Sequence, residues 1–164
     1  MRTIGIQPAI RPMPDKDAVH QLLLRRWNDD CIIFGGRAYD SRDFQAHGAY
    51  DGEGMLLALA LWLVRGKVAL LGAVDSVVPG AGASSALIAF VRREARAQGA
   101  TRLRAVTTND NAAALVYYQK QGFRLDTLFV GSVDAFRGRD NPNFRRVGFN
   151  GLPVRDTLEL EMEL

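Results

Sequence analysis

The chain has 164 residues, 48% of them hydrophobic and 24% charged, with a net charge of +3. A chain of that size and composition makes one soluble domain that needs neither metal nor disulfide, and the charge excess is too small to argue for a nucleic-acid partner. One cysteine, Cys31, rules out an internal disulfide and suits a reducing compartment.

The N-terminal stretch MRTIGIQPAIRPMPDKDA lacks the apolar core of a signal peptide, so a cytoplasmic location is expected. Arg2 to Ala9 alternates weakly and reads as a first strand. Asp15 caps a helix running to about Trp27, with Val19, Leu22, Leu23 and Trp27 at helical spacing. The segment from Asn28 to Ser41 carries mixed signals and reads as a loop or short helix covering something. Phe44 to Tyr50 and Met55 to Val64 read as paired strands about the turn Asp51-Gly52-Glu53-Gly54. The second of these, MLLALALWLV, is too short to cross a bilayer and reads as buried. A further strand spans Lys67 to Val78.

Next comes VVPGAGASS, between that strand and a helix striped by Leu87, Phe90, Val91 and Ala95 and ended by Gly99. Small residues at a helix N-terminus let an anion approach main-chain N–H groups, so the stretch is either a phosphate cradle or merely a tight turn. It is not a dinucleotide fingerprint, since Ser85 stands where the third glycine belongs and Gln98 to Thr101, about 20 positions on, offers no acid. A Walker lysine is absent too.

Thr101 to Thr107 alternates as a strand, and NDNAAALVYYQKQGFRL follows. Asn111 reads as an N-cap and Gly122 as the left-handed residue closing a short helix. A strand from about Arg124 to Val133, a polar connection from Gly138 to Pro153 and a half-exposed closing strand from Thr157 to Leu164 complete the order. The expectation is a mixed α/β sheet with a central strand-helix-strand unit.

Asn111, Ala114, Tyr118, Gly122 and Phe123 fit N-x-x-A-x-x-x-Y-x-x-x-G-F throughout. Pro79 to Ser84 occupies the position of R/Q-x-x-G-x-G/A. Together these motifs resemble the GNAT acyltransferase superfamily. Trp27, the TTNDN turn at Thr107 to Asn111, and Pro153-Val154-Arg155-Asp156 are similar to a bacterial subgroup of it. The resemblance implies a single mostly antiparallel mixed sheet flanked by helices. It implies an acetyl group moving from acetyl-CoA to a primary amine, on a small molecule or a peptide, within a ternary complex. It allows a homodimer and calls for no membrane, nucleic acid or metal.

By the same resemblance, Val74, Ser76 and Val77 would hold the pantetheine arm. Gly80, Ala81, Gly82, Ala83 and Ser84 would hold the diphosphate, with Asn111, Ala114 and Tyr118 completing the cofactor site. A phenol near pKa 10 can protonate a thiolate near 8.5, so Tyr118 is the candidate acid; the alternative is a core aromatic beside Tyr117. Asp75, an acid inside apolar VALLGAVDSVV, is the candidate base if burial raises its pKa or a water relays; the alternative is a hydrogen-bonded residue shaping the strand end.

Arg37 and Tyr39 are placed at the acceptor, while Arg139, Arg145 and Arg146 serve either the late connection or an acidic acceptor. Cys31, His20 and His47 read as structural. Pro79 departs from the family's basic or amide residue, which lightens the cradle's charge. It also motivates a second reading, a non-catalytic protein that binds CoA or acyl-CoA. A third, a nicotinamide-dependent oxidoreductase, lacks its fingerprint.

Overall fold

The computed structural model describes residues 7–27 and 31–164. A central seven-stranded sheet has the order β1-β4-β5-β6-β7-β9-β8. Its strands are β1 (Ala9–Pro12), β4 (Gln45–Tyr50), β5 (Leu56–Arg65), β6 (Val68–Ser76), β7 (Arg102–Thr108), β8 (Arg124–Phe129) and β9 (Thr157–Glu163). Only β6 and β7 run parallel, because α2 (Ala83–Ala97) carries the chain back between them. The expected mixed sheet and central strand-helix-strand unit are therefore present.

Layers on both faces explain the unbroken apolar run of β5. Ala58, Ala60 and Trp62 pack with Leu87, Ile88 and Val91 of α2 on one side. Leu59, Leu61 and Leu63 pack on the other with Val19 and Leu23 of α1 (Lys16–Trp27). A strand buried on both faces has no polar alternation to show. Local chemistry sets the ends. Asp15 Oδ1 accepts from Ala18 N–H at 2.9 Å, and Asp51 Oδ1 accepts from Glu53 and Met55 N–H to hold the β4–β5 turn.

Three expectations change. Of the Arg2 to Ala9 strand, residues 2–6 lie outside the described residues, and the strand that is described is Ala9–Pro12. The segment read as a loop or short helix contains a hairpin, β2 (Cys31–Phe34) and β3 (Arg37–Asp40), joined by Gly35 and Gly36 at φ 56° and 71°. A glycine pair between two short runs is a two-residue hairpin signal, obscured here by the charges around it. The strand expected to reach Val133 stops at Phe129, and α4 (Ser132–Arg139) begins inside the stretch. Partners distant in sequence start that helix: Asp156 Oδ1 accepts from Gly131 N–H, and the Ser132 and Thr157 hydroxyls lie 2.8 Å apart.

The closing strand is also less exposed than its alternation suggests. Glu159, 2% exposed, accepts from Gly35 N–H at the hairpin turn and lies 3.4 Å from Arg104. Burial pushes its carboxyl above the usual range against those two partners.

Gly72 shapes the sheet where the site forms. Pairing of β5 with β6 steps from Leu61↔Ala73 to Trp62↔Leu71, so Gly72 is an extra residue on β6. Before it, Ala69 and Leu71 pack with α2; after it, Ala73 packs in the opposite layer. A Cβ on Gly72 would stand 2.8 Å from both Ile32 Cδ1 and Phe44 Cε1. Gly72→Ala should therefore destabilise the fold by about 1–3 kcal/mol, seen as a lower urea midpoint, and an unchanged midpoint would contradict this packing.

Candidate active site

The parallel ladder between β6 and β7 covers only Val68–Leu71 against Arg102–Ala105. Beyond it the two strands part, and the wedge between them opens into a cavity of about 340 Å3. Gly72 to Asp75 line one side and Val106 to Thr108 the other. Asn111, Ala114 and Tyr118 of α3 (Ala112–Lys120) stand at one end. Trp27 of α1 and Ile32 and Ile33 of β2 line it as well.

The α3 motif is built as its residues suggest. Asn111 Oδ1 caps the helix by accepting from Ala114 N–H at 3.1 Å, and Gly122 closes it at φ 98°. Tyr118, one turn before the end, is 6% exposed and packs edge-on against Phe123 at 5.3 Å. Burial pushes its phenol well above the ordinary tyrosine range, with Tyr117 adding to the rise. The near match between phenol and thiol expected from unperturbed values therefore does not hold in the folded protein. Tyr118 stands in it as a firmly neutral donor.

Asp75 follows Ala73 onto the α1 face and is 9% exposed. It is not the unpartnered acid suggested by its apolar surroundings. Arg26 Nε and Nη2 both donate to its carboxylate, the latter at 3.1 Å, and Nη2 also donates to the Ser76 carbonyl. The hydrogen bond that Arg26 donates to Asp75 leads a rise in the Arg26 pKa, so this guanidinium stays charged. A buried carboxylate with a forked partner is a satisfied one.

Most of the other expected cofactor residues lie outside the cavity. Val74 lines it, but Ser76 and Val77 do not, and Val77 N–H is already given to the Leu57 carbonyl at 2.9 Å. Gly80, Ala81 and Gly82 form an exposed turn before α2, while Ala83, the first helical residue, is buried and Ser84 half-buried. Gly80 and Gly82 have φ of 82° and 70°, so the turn does require glycine. Gly82 is also the N-cap and has no side chain to satisfy the first-turn N–H groups, which leaves them for an anion. The turn and cradle readings are thus compatible.

Arg37 and Tyr39 do not line the cavity. Arg37 is exposed, and Tyr39 packs against Phe44 with Arg65 5.0 Å from its ring centre. The hairpin's other strand supplies the cavity wall instead.

Phe144, Arg145 and Phe149 of the late connection also reach the cavity. Long-range hydrogen bonds hold that segment. Arg137 of α4, 5% exposed, donates to the carbonyls of Phe144, Arg145 and Val154 and to Asp134 Oδ1. In the TTNDN turn, Asn109 Oδ1 accepts from Arg155 and Asp156 N–H, and its amide donates to the Pro153 carbonyl. Asp110, fully buried, accepts from Phe149 N–H at 2.9 Å. Gly148 passes so close that an added Cβ would lie 1.9 Å from Asp110 Oδ2. This accounts for the joint presence of TTNDN and P-x-R-D: one motif clamps the other. Arg26, Asp110 and Arg137 have no local pattern that announces them, because their partners lie far away in sequence.

A β-α-β unit whose parallel strands part around a cavity, with a glycine turn at the helix start, defines an acyltransferase class of fold. The sequence model described as "Acetyltransferase (GNAT) family" matches residues 16–123. The chain belongs to that family and is an N-acetyltransferase by class. It is 28% identical over 149 residues to the uncharacterized protein YxbD of Bacillus subtilis (strain 168), covering 91% of this chain and 93% of that one. The IAA acetyltransferase from Bacillus cereus ATCC 14579 superposes with a TM-score of 0.72 at 22% identity, covering 95% and 99% of the two chains. A GNAT family acetyltransferase from Elizabethkingia anophelis with acetyl-CoA bound gives 0.69 at 17% identity, covering 96% and 99%. Among the described residues no helix is long and apolar enough to cross a membrane, and no cluster of His, Cys, Asp and Glu could hold a metal ion.

The exposed turn yields a direct prediction. Pro79→Arg adds a cation beside the proposed diphosphate position and should tighten acetyl-CoA binding roughly two- to fivefold by titration calorimetry. An unchanged or larger dissociation constant would count against the cradle.

Proposed function

We propose that this protein transfers an acetyl group from acetyl-CoA directly to a primary amine in a ternary complex. The observation that carries the reading is the cavity in the wedge, which Tyr118 and Asp75 both line. Acetyl-CoA would enter along the parted edge of β6, its diphosphate at Gly80 to Ser84 and its thioester between the strands. The chain folds as one acetyltransferase domain.

The amine nitrogen attacks the thioester carbonyl carbon, and a main-chain N–H on the unpaired edge of β6 stabilises the oxyanion. The carbon–sulfur bond then breaks. Tyr118 donates its phenolic proton to the departing thiolate, and solvent restores the phenol. Asp75 takes the hydrogen bond of the attacking amine and passes the released proton to water. Its oxygens can do so while paired, since each carboxylate oxygen has a second lone pair. Arg26 holds the carboxylate in place and is a positioning residue. Asn111 and Ala114 shape the end of the site occupied by the arm.

Incubation with acetyl-CoA and a panel of primary amines, with free thiol as the readout, tests the transfer. Amine-dependent thiol release is expected, and stabilisation by acetyl-CoA without turnover would leave only a binding protein. Tyr118→Phe should lower kcat by roughly a hundredfold while barely moving the acetyl-CoA dissociation constant. Equal rates in mutant and parent would remove Tyr118 from the mechanism. Because the phenol's pKa is raised, its proton is retained as pH rises, and Tyr118 should cause no fall in rate up to about pH 10.

A further inference from the structure

We infer that the amine acceptor carries a carboxylate, and that Arg145 receives it; the inference rests on the transferase reading above. Among the described residues that line the cavity, two are ionic, Asp75 and Arg145. Asp75 is hydrogen-bonded to Arg26, whereas Arg145 has an ion pair with buried Asp110 at 3.6 Å but no hydrogen bond to it, so its guanidinium keeps donors to offer.

Arg145 is placed by the fold. Its own carbonyl and that of Phe144 accept from buried Arg137, so the main chain is anchored on both sides of the Phe144–Arg145 bond. The rings of Phe144 and Phe149 lie 5.7 Å and 5.6 Å from its guanidinium carbon, a contact that restricts the fork. Arg145 forms an ion pair with buried Asp110, whose Oδ2 lies 3.6 Å from Nη2, beyond hydrogen-bond reach, and also accepts from Phe149 N–H. Arg145 Nε is buried and has no hydrogen-bond partner. A buried guanidinium N–H without an acceptor is unfavourable, and the exposed part of the same guanidinium is open to a ligand oxygen.

A carboxylate matches this donor set best. It is planar, singly charged and met by two parallel N–H groups of one arginine. A phosphate dianion would call for more donors than the apolar wall provides. The cofactor's own diphosphate has its cradle at the exposed glycine turn, whose residues do not line the cavity. With a carboxylate at Arg145 and the amine hydrogen-bonded to Asp75, the acceptor resembles an amino acid with an apolar body. Of the three arginines in the late connection, Arg146 is exposed and Arg139 reaches the Gly36 carbonyl. Neither lines the cavity.

The experiment compares matched triplets with the parent protein and acetyl-CoA: an amino acid, its amide and the decarboxylated amine, with side chains from glycine to tryptophan. For the triplet that reacts best, kcat/KM for the free acid should exceed both analogues by at least about tenfold. Arg145→Gln should erase that preference while the KM for acetyl-CoA stays within about twofold, and Arg145→Lys should restore part of it. Should Arg145→Gln fail to fold, the triplet comparison on the parent still decides.

Amides or amines reacting as well as the acids would overturn the inference and leave the transferase reading standing. The same holds if the preference survives in Arg145→Gln, or if the mutation raises the acetyl-CoA KM in parallel, which would put Arg145 on the cofactor. Tight acetyl-CoA binding with no thiol released by any amine would sink both readings.

Discussion

The architecture depends on where two parallel strands stop being neighbours. β6 and β7 pair over four residues and then separate, and everything chemical about the molecule follows from the space this creates. Strands that stay paired satisfy each other's main chain; strands that part expose an edge of N–H and C=O groups inside the protein, where only a ligand or water can meet them. The extra residue at Gly72 marks the point of departure. It turns the downstream side chains of β6 from the α2 layer toward the α1 layer, so Asp75 faces Arg26. A bulge beside a site re-aims a side chain, and here it re-aims the one acidic residue of the strand.

Charge inside the protein is used sparingly and nearly always in pairs or clamps. Arg26 meets Asp75, Arg104 meets Glu161 and Glu159, and Arg137 spreads its donors over three carbonyls and a carboxylate. Arg26 ties α1 to β6, Arg104 adds to the β7–β9 pairing, and Arg137 ties α4 to the connection after it. The connection after α4, polar and bearing Gly and Pro, has little to bury, so Arg137, Asn109 and Asp110 hold it by hydrogen bonds instead. The result is a rigid wall made from a segment with no regular secondary structure beyond one short 3-10 turn.

The two faces of the wedge then divide the labour. In the proposed reaction, the neutral phenol toward α3 would give its proton to the leaving sulfur, and the paired carboxylate toward α1 would receive the amine. The glycine turn lies outside both, at the solvent edge, where a highly charged diphosphate would remain hydrated while contacting main-chain N–H groups.

Much of this was legible in the chain by itself. The spacing from Asn111 to Phe123 encodes a cap, a helix and a left-handed stop through i to i+4 geometry, and the structure has all three. The apolar run of β5, the turn at Asp51 and the alternation of β7 and β9 are likewise local patterns with local causes. What only the tertiary structure decided are the features made by residues far apart: the pairing of Arg26 with Asp75, the clamp of Asn109 on Pro153 to Asp156, and the start of α4 under Asp156. The same holds for the replacement of Arg37 and Tyr39 by Ile32, Ile33 and Arg145 at the cavity. Periodicity and capping act over one helical turn or one strand, whereas a buried charge takes its partner from whichever segment the fold brings within reach, and no local spacing records that choice.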